Sequence, residues 1–241
     1  MIQQISREEI FSRSRLADYY ISGMQSPYYV RTENKTDDNT DELLLLYETV
    51  ILEGPDSEFE DSKYSWEEEG SLLADLKDHT KPIHDGGRLT DDFAVLGYST
   101  RNAGDYLANR SKALIYFFKI MQIRQVYVMD EQRYDWLRFP FGSQEQLAAI
   151  RSLVNAPTYR EAFEMDIEDL EFMLPLFHLS PRHSMPIVLI ISTDDRVPIA
   201  MFLCDDGNFH TNFHTGDREK IFYAASAAGM RMGGVEVCSG R

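Results

Sequence analysis

The chain has 241 residues, with 40 acidic against 24 basic side chains and a net charge of −16 at pH 7. Its 43% hydrophobic content, with 14 Phe, 13 Tyr and 2 Trp, excludes disorder over the whole length, and the chain is long enough to bury a real core. A field of this sign disfavours direct contact with nucleic-acid phosphates or anionic membranes and favours a basic protein partner.

In chain order, Ser6 and Glu9 form a capping box ahead of Ile10, Phe11 and Leu16, which predicts a first helix over about 7–22. Residues 23–40 read as a polar loop. The apolar run in 41–53 reads equally as a helix capped by Asp41 or as a buried strand, because periodicity does not separate the two. An acidic loop at 56–61 follows. Ser65 and Glu68 then box a helix carrying Leu72, Leu73 and Leu76, and Pro82 with Gly86-Gly87 closes this first section.

The second section is more regular. Tyr106, Leu107, Leu114, Phe117, Phe118 and Met121 recur at helical spacing over 104–122 and run into a short strand, Gln125–Met129. Ser143 and Gln146 box a helix bearing Leu147, Ile150 and Leu153. A further helix starts at Asp166 and stops at Pro175. Pro186–Ile191 is a buried-type strand. Val197–Cys204 and Phe209–Phe213 flank the turn Asp205-Asp206-Gly207-Asn208 as a hairpin. Asp217 opens a helix whose alanine run suits close packing on a sheet, Gly229 ends it, and Gly234–Cys238 reads as a last strand. The expected class is α+β: a mixed or mainly antiparallel sheet with packed helices in the C-terminal part, behind an acidic, mainly helical N-terminal section. One compact domain over 1–241 is expected, divisible at most into 1–90 and 91–241.

Candidate chemistry is sparse. The six histidines fall in pairs, His79/His84, His178/His183 and His210/His214, of which the last, near Cys204, Asp205 and Asp206, is the most metal-like. On a strand, however, residues four apart lie about 13 Å from each other, too far to share one ion. Thr-Asp-Asp occurs at 36–38, 90–92 and 193–195, in places where caps and turns use such residues. No phosphate-binding glycine loop, nucleophile elbow or CxxC motif is present, so neither a cofactor nor a catalytic or metal-ligating residue is assigned. Two cysteines, Cys204 and Cys238, are too few for a disulfide framework and read as reduced thiols, with a redox pair as the alternative. The start lacks a basic and apolar leader and no apolar run is long enough to span a membrane, so a cytoplasmic protein is expected.

The charge is concentrated. Residues 33–92 hold 19 acids against five bases, a net of −14, while the other 181 residues hold 21 against 19. This points to a non-catalytic binding protein that neutralises a basic partner, in the manner of an immunity or inhibitor protein blocking a toxin or nucleic-acid-acting enzyme. Its contact residues would be Glu58, Glu60, Asp61, Glu67, Glu68 and Glu69 around Trp66. Tyr134 and Trp136, in the aromatic and arginine run 133–141, would be a second docking point. The alternatives are a metal-dependent hydrolase using the Asp/His clusters and an adaptor subunit of a larger assembly.

Overall fold

The computed structural model describes residues 1–33, 81–98, 106–131, 133, 135–137, 144–176, 188–204, 207–234 and 238. Among the described residues eight strands form one antiparallel sheet: β1 (Gln3–Ile5), β2 (Asp92–Gly97), β3 (Gln125–Asp130), β4 (Ala162–Asp166), β5 (Val188–Ser192), β6 (Ile199–Leu203), β7 (Phe209–Phe213) and β8 (Arg231–Gly233). Their spatial order is β1-β4-β3-β5-β6-β7-β2-β8. The expected α+β class therefore holds, with an antiparallel sheet. Strand β1 comes from the acidic N-terminal section and pairs with β4, so the sheet draws on both sections. The helix-or-strand reading at 41–53 and the helix at 65–76 lie outside the described residues.

Strand alternation builds two cores. Phe163, Val128, Ile190, Met201, Thr211 and Ala94 lie in register across six strands and are all buried. Their face is covered by helices α3 (Tyr106–Met121), α4 (Gln144–Leu153), α5 (Leu170–Leu176) and α6 (Arg218–Ala227). The next row, Tyr127, Ile191 and Ala200, points the other way into a smaller core under α1 (Arg7–Arg13) and α2 (Arg15–Glu33). Each fully buried Leu, Ile or Phe contributes about 1.5–3 kcal/mol. Both edge strands are three residues long, which limits the unpaired backbone offered to another chain.

Local chemistry accounts for the departures from sequence expectation. Ser6 accepts from Glu9 N as predicted, but the first helix stops at Ser14, whose backbone is extended, and a second runs to residue 33, through what reads as loop. The break is held by Asp195, whose carboxylate accepts from Arg15 N and Leu16 N at 3.1 and 3.3 Å, a cap supplied from 180 residues away. Strands β1, β2 and β4 are additions. The helix expected from Asp166 begins as a 3-10 turn and becomes α5 only at Leu170. Strand β8 at 231–233 is a further addition, because Gly229 at φ 73° and Met230 N bonded to Ala225 O turn the chain straight from α6 onto β2; the strand read at 234–238 falls largely outside the described residues. No helix among the described residues is long and apolar enough to cross a membrane.

Trp136 is a core residue, 1% exposed, with its ring edge-on to Phe163 at 5.6 Å and its backbone N–H donating to Tyr159 O at 2.7 Å. Asp135 fixes this segment by accepting from both Leu137 N and Tyr159 N. The ring is thus withdrawn from any docking surface, because the apolar face of β4 claims it. A Trp136→Ala variant should lose about 3–5 kcal/mol of stability, read as a lower urea midpoint at unchanged m value. A surface anchor would leave the midpoint where it was.

At the end of β3, Asp130 and Glu131 are buried beside Arg7, whose guanidinium donates to Asp130 O at 2.6 Å. Burial pushes the Glu131 carboxyl up to about 7, with the Asp130 charge adding to the rise and Arg7 opposing it. Between its ordinary 4.5 and about 7 the unfolded chain gives up this proton while the folded chain keeps it, so stability falls as pH rises through that window and then levels. Glu131→Gln should therefore gain on the order of 2–3 kcal/mol over wild type at pH 8 and nothing at pH 4. Urea unfolding of both proteins across that range measures the difference.

Candidate metal centre

The most concentrated chemistry among the described residues sits at one end of the sheet, on the β6–β7 hairpin. Register places Phe202 opposite His210 and Leu203 opposite Phe209. Cys204 follows β6 and closes the turn: its N–H donates to Asn208 O at 2.9 Å, and Gly207, at φ 77°, donates back to Cys204 O at 2.8 Å. Gly207 takes a left-handed conformation that costs most residues about 1 kcal/mol or more and glycine little. The turn is fastened from the helical layer by the buried Arg110 of α3. Its guanidinium donates to Gly207 O at 3.3 Å and lies 5.9 Å from the Phe209 ring.

Alternation along β7 sends Phe209, Thr211 and Phe213 into the larger core and turns His210 and Asn212 to the opposite face. Cys204 and His210 become diagonal neighbours on that face, within reach of each other across one strand pair. Cys238 joins them from beyond β8. Its sulfur lies 3.6 Å from Cys204 Sγ and 2.9 Å from His210 Nε2, and Asn208 Nδ2 donates to it at 3.5 Å. The three donor atoms lie within 4.8 Å of one another, and all three residues are half-buried. Phe202 stacks on the His210 imidazole at 4.3 Å and Phe93 lies tilted at 5.7 Å, so aromatic rings shield the centre on two sides.

These distances suit one tetrahedral ion. Zinc bonds of ~2.3 Å to sulfur and ~2.0 Å to nitrogen put neighbouring donors about 3.8 Å (S to S) and about 3.5 Å (S to N) apart. The sulfur pair, at 3.6 Å, stands close to that spacing, and the His210–Cys238 pair, at 2.9 Å, would open by about 0.6 Å. Two thiolates and an imidazole select zinc or another soft or borderline ion over magnesium and calcium. Beyond the cluster on the same face, Asn212 Nδ2 donates to Tyr20 Oη at 3.3 Å, and burial with the nearby Glu131 charge pushes the Tyr20 phenol up.

The other sequence candidates divide cleanly. His210 leaves its sequence partner: His214 caps the 3-10 turn ahead of α6 by accepting from Gly216 N. His84 Nε2 meets Phe11 O at 2.7 Å while its backbone N–H is caught by Asp18, a structural strap across α1 and α2. Of the Thr-Asp-Asp clusters, Asp91 and Asp92 hold Thr215 N and the Arg218 guanidinium, and Asp194 and Asp195 hold Arg196 and the start of α2. Glu58, Glu60, Asp61, Trp66, Glu67, Glu68, Glu69 and Tyr134 lie outside the described residues, as do Asp205, Asp206, His79, His178 and His183. Sequence reasoning set Cys204 near His210 and paired it with Cys238 as a redox alternative, but did not join all three. The signal that would have joined them is the hairpin register with the return of the chain along β2, and 28 residues separate His210 from Cys238.

A cavity of about 810 Å³ opens at the opposite end of the strands, lined by Lys119, Arg124, Gln125, Asp166, Thr193 and Arg196, among others. It does not reach the cysteines. The chain matches no protein-family model, no curated protein and no solved structure.

Proposed function

We propose that this chain is a zinc-binding protein in which the metal pins the C-terminal segment to the β6–β7 hairpin. The observation that carries this is the convergence of Cys204 Sγ, His210 Nε2 and Cys238 Sγ within 4.8 Å. A fourth ligand would be a water or a donor outside the described residues. Bound water on zinc would supply hydrolytic chemistry; the cavity of about 810 Å³ lies at the other end of the sheet.

The chain should bind one Zn²⁺ per molecule, measured by elemental analysis after dialysis. Zinc at about 100 times its Kd should stabilise it by about 2.7 kcal/mol, a rise of about 5–10 °C in Tm. Cys204→Ser, His210→Ala and Cys238→Ser should each lose most of that rise while keeping the metal-free Tm within a few degrees. Substoichiometric metal and a Tm indifferent to zinc would end this reading.

A second reading is favoured by the charge map. The net −14 over residues 33–92 suits a surface that attracts and blocks a basic protein, as an immunity or inhibitor protein does. An adaptor role within an assembly would draw on the same surface. Replacing Glu58, Glu60, Asp61 and Glu67–Glu69 by Gln or Asn should slow association with a partner captured at low salt by about tenfold, as should raising the salt to 0.5 M. Association rates indifferent to both would remove the electrostatic mechanism.

A further inference from the structure

We infer that Cys204 and Cys238 form a peroxide-sensitive pair that closes into a disulfide and expels the metal, which makes the centre an oxidative modification site. The metal-release half rests on the zinc reading above; the bond itself rests on the two sulfurs alone.

The sulfurs stand 3.6 Å apart, and a disulfide needs about 2.05 Å, so closure asks for a movement of about 1.5 Å. Cys204 is fixed by the hairpin turn. Cys238 lies five residues beyond β8, a three-residue edge strand, and touches the cluster through the side chains of Cys204, His210 and Asn208. The approach can therefore be made by the C-terminal side without disturbing a central strand. Both thiols are half-buried, which admits a small oxidant. They are the only two cysteines in the chain, so the product within one molecule is unambiguous.

The oxidant class is a hydroperoxide. One thiolate attacks a peroxide oxygen, the O–O bond breaks, a sulfenic acid forms and hydroxide leaves. The second thiolate attacks the sulfenic sulfur, the S–O bond breaks and a second hydroxide leaves. Two thiolates and one hydrogen peroxide thus give one disulfide and, with two protons, two waters, as two electrons pass from sulfur to oxygen. A disulfide sulfur is no zinc ligand, and His210 alone does not retain the ion, so zinc affinity should fall about 100-fold or more.

The test is to treat the full zinc-loaded chain with a small molar excess of hydrogen peroxide, following released zinc with a chelating dye, free thiols, and intact mass. The expected result is one zinc released per molecule, thiols falling from two to none, and a monomer lighter by two hydrogen atoms. Dithiothreitol should restore both thiols and zinc uptake. Zinc retained with both thiols intact would overturn the inference and leave the zinc reading standing. Release with sulfinic or sulfonic products, or with bridges between molecules, would overturn it as well. A chain that never takes up zinc would remove the zinc reading instead. Peroxide treatment of that metal-free chain then decides the bond: an internal bridge supports the pair, and two surviving thiols overturn it.

Discussion

The centre depends on a register. Strand β7 pairs with β6 so that Phe209 and Phe213 enter the helical core while His210 faces the opposite side, and the side-chain period of two gives this no tolerance. A slip of one residue would bury the imidazole among Met201, Phe117 and their neighbours and expose the phenylalanines. The cost of burying an unpaired polar ring together with the lost transfer of two large apolar rings amounts to several kcal/mol. Gly207 sets the turn, Arg110 fastens it from the far side of the sheet, and Cys204 emerges beside His210 as a consequence. Packing energy spent on Phe209 and Phe213 thus also positions the donors.

How far the molecule was legible in its sequence depended on how local the deciding interaction was. The β6–β7 hairpin, α3, β3, α6 and the Gly229 stop were readable, since turn residues, helical spacing and a left-handed glycine act within a few positions. The break at Ser14 was not, because the carboxylate that stabilises it belongs to Asp195. Strand β2, Asp92–Gly97, carried a run of four apolar residues before a glycine, a signal present but too short to weigh alone. Strand β4 hides because Glu164 interrupts its apolar pattern at a position that faces Arg13 on the α1 side.

The candidate site shows the same division. Spacing rules excluded a shared ion for His210 and His214, and the strand geometry bears that out. No spacing rule reaches from residue 204 to residue 238. The aromatic run around Trp136 misled in the opposite direction: Trp and Tyr are favoured both at docking surfaces and in cores, and only the position of Phe163 decides for the core.

The sheet order has a bearing on synthesis. Strand β2 lies between β7 and β8, pairing Asp92 with Phe213 and Val95 with Gly233, so both of its neighbours are made more than a hundred residues after it. On the ribosome, Phe93–Leu96 waits without these partners until residues 209–233 have emerged. Closing so long a loop is slow, and an unpaired apolar strand is a template for association in the meantime. The nascent chain is therefore most in need of chaperone protection between the synthesis of β2 and that of β7 and β8.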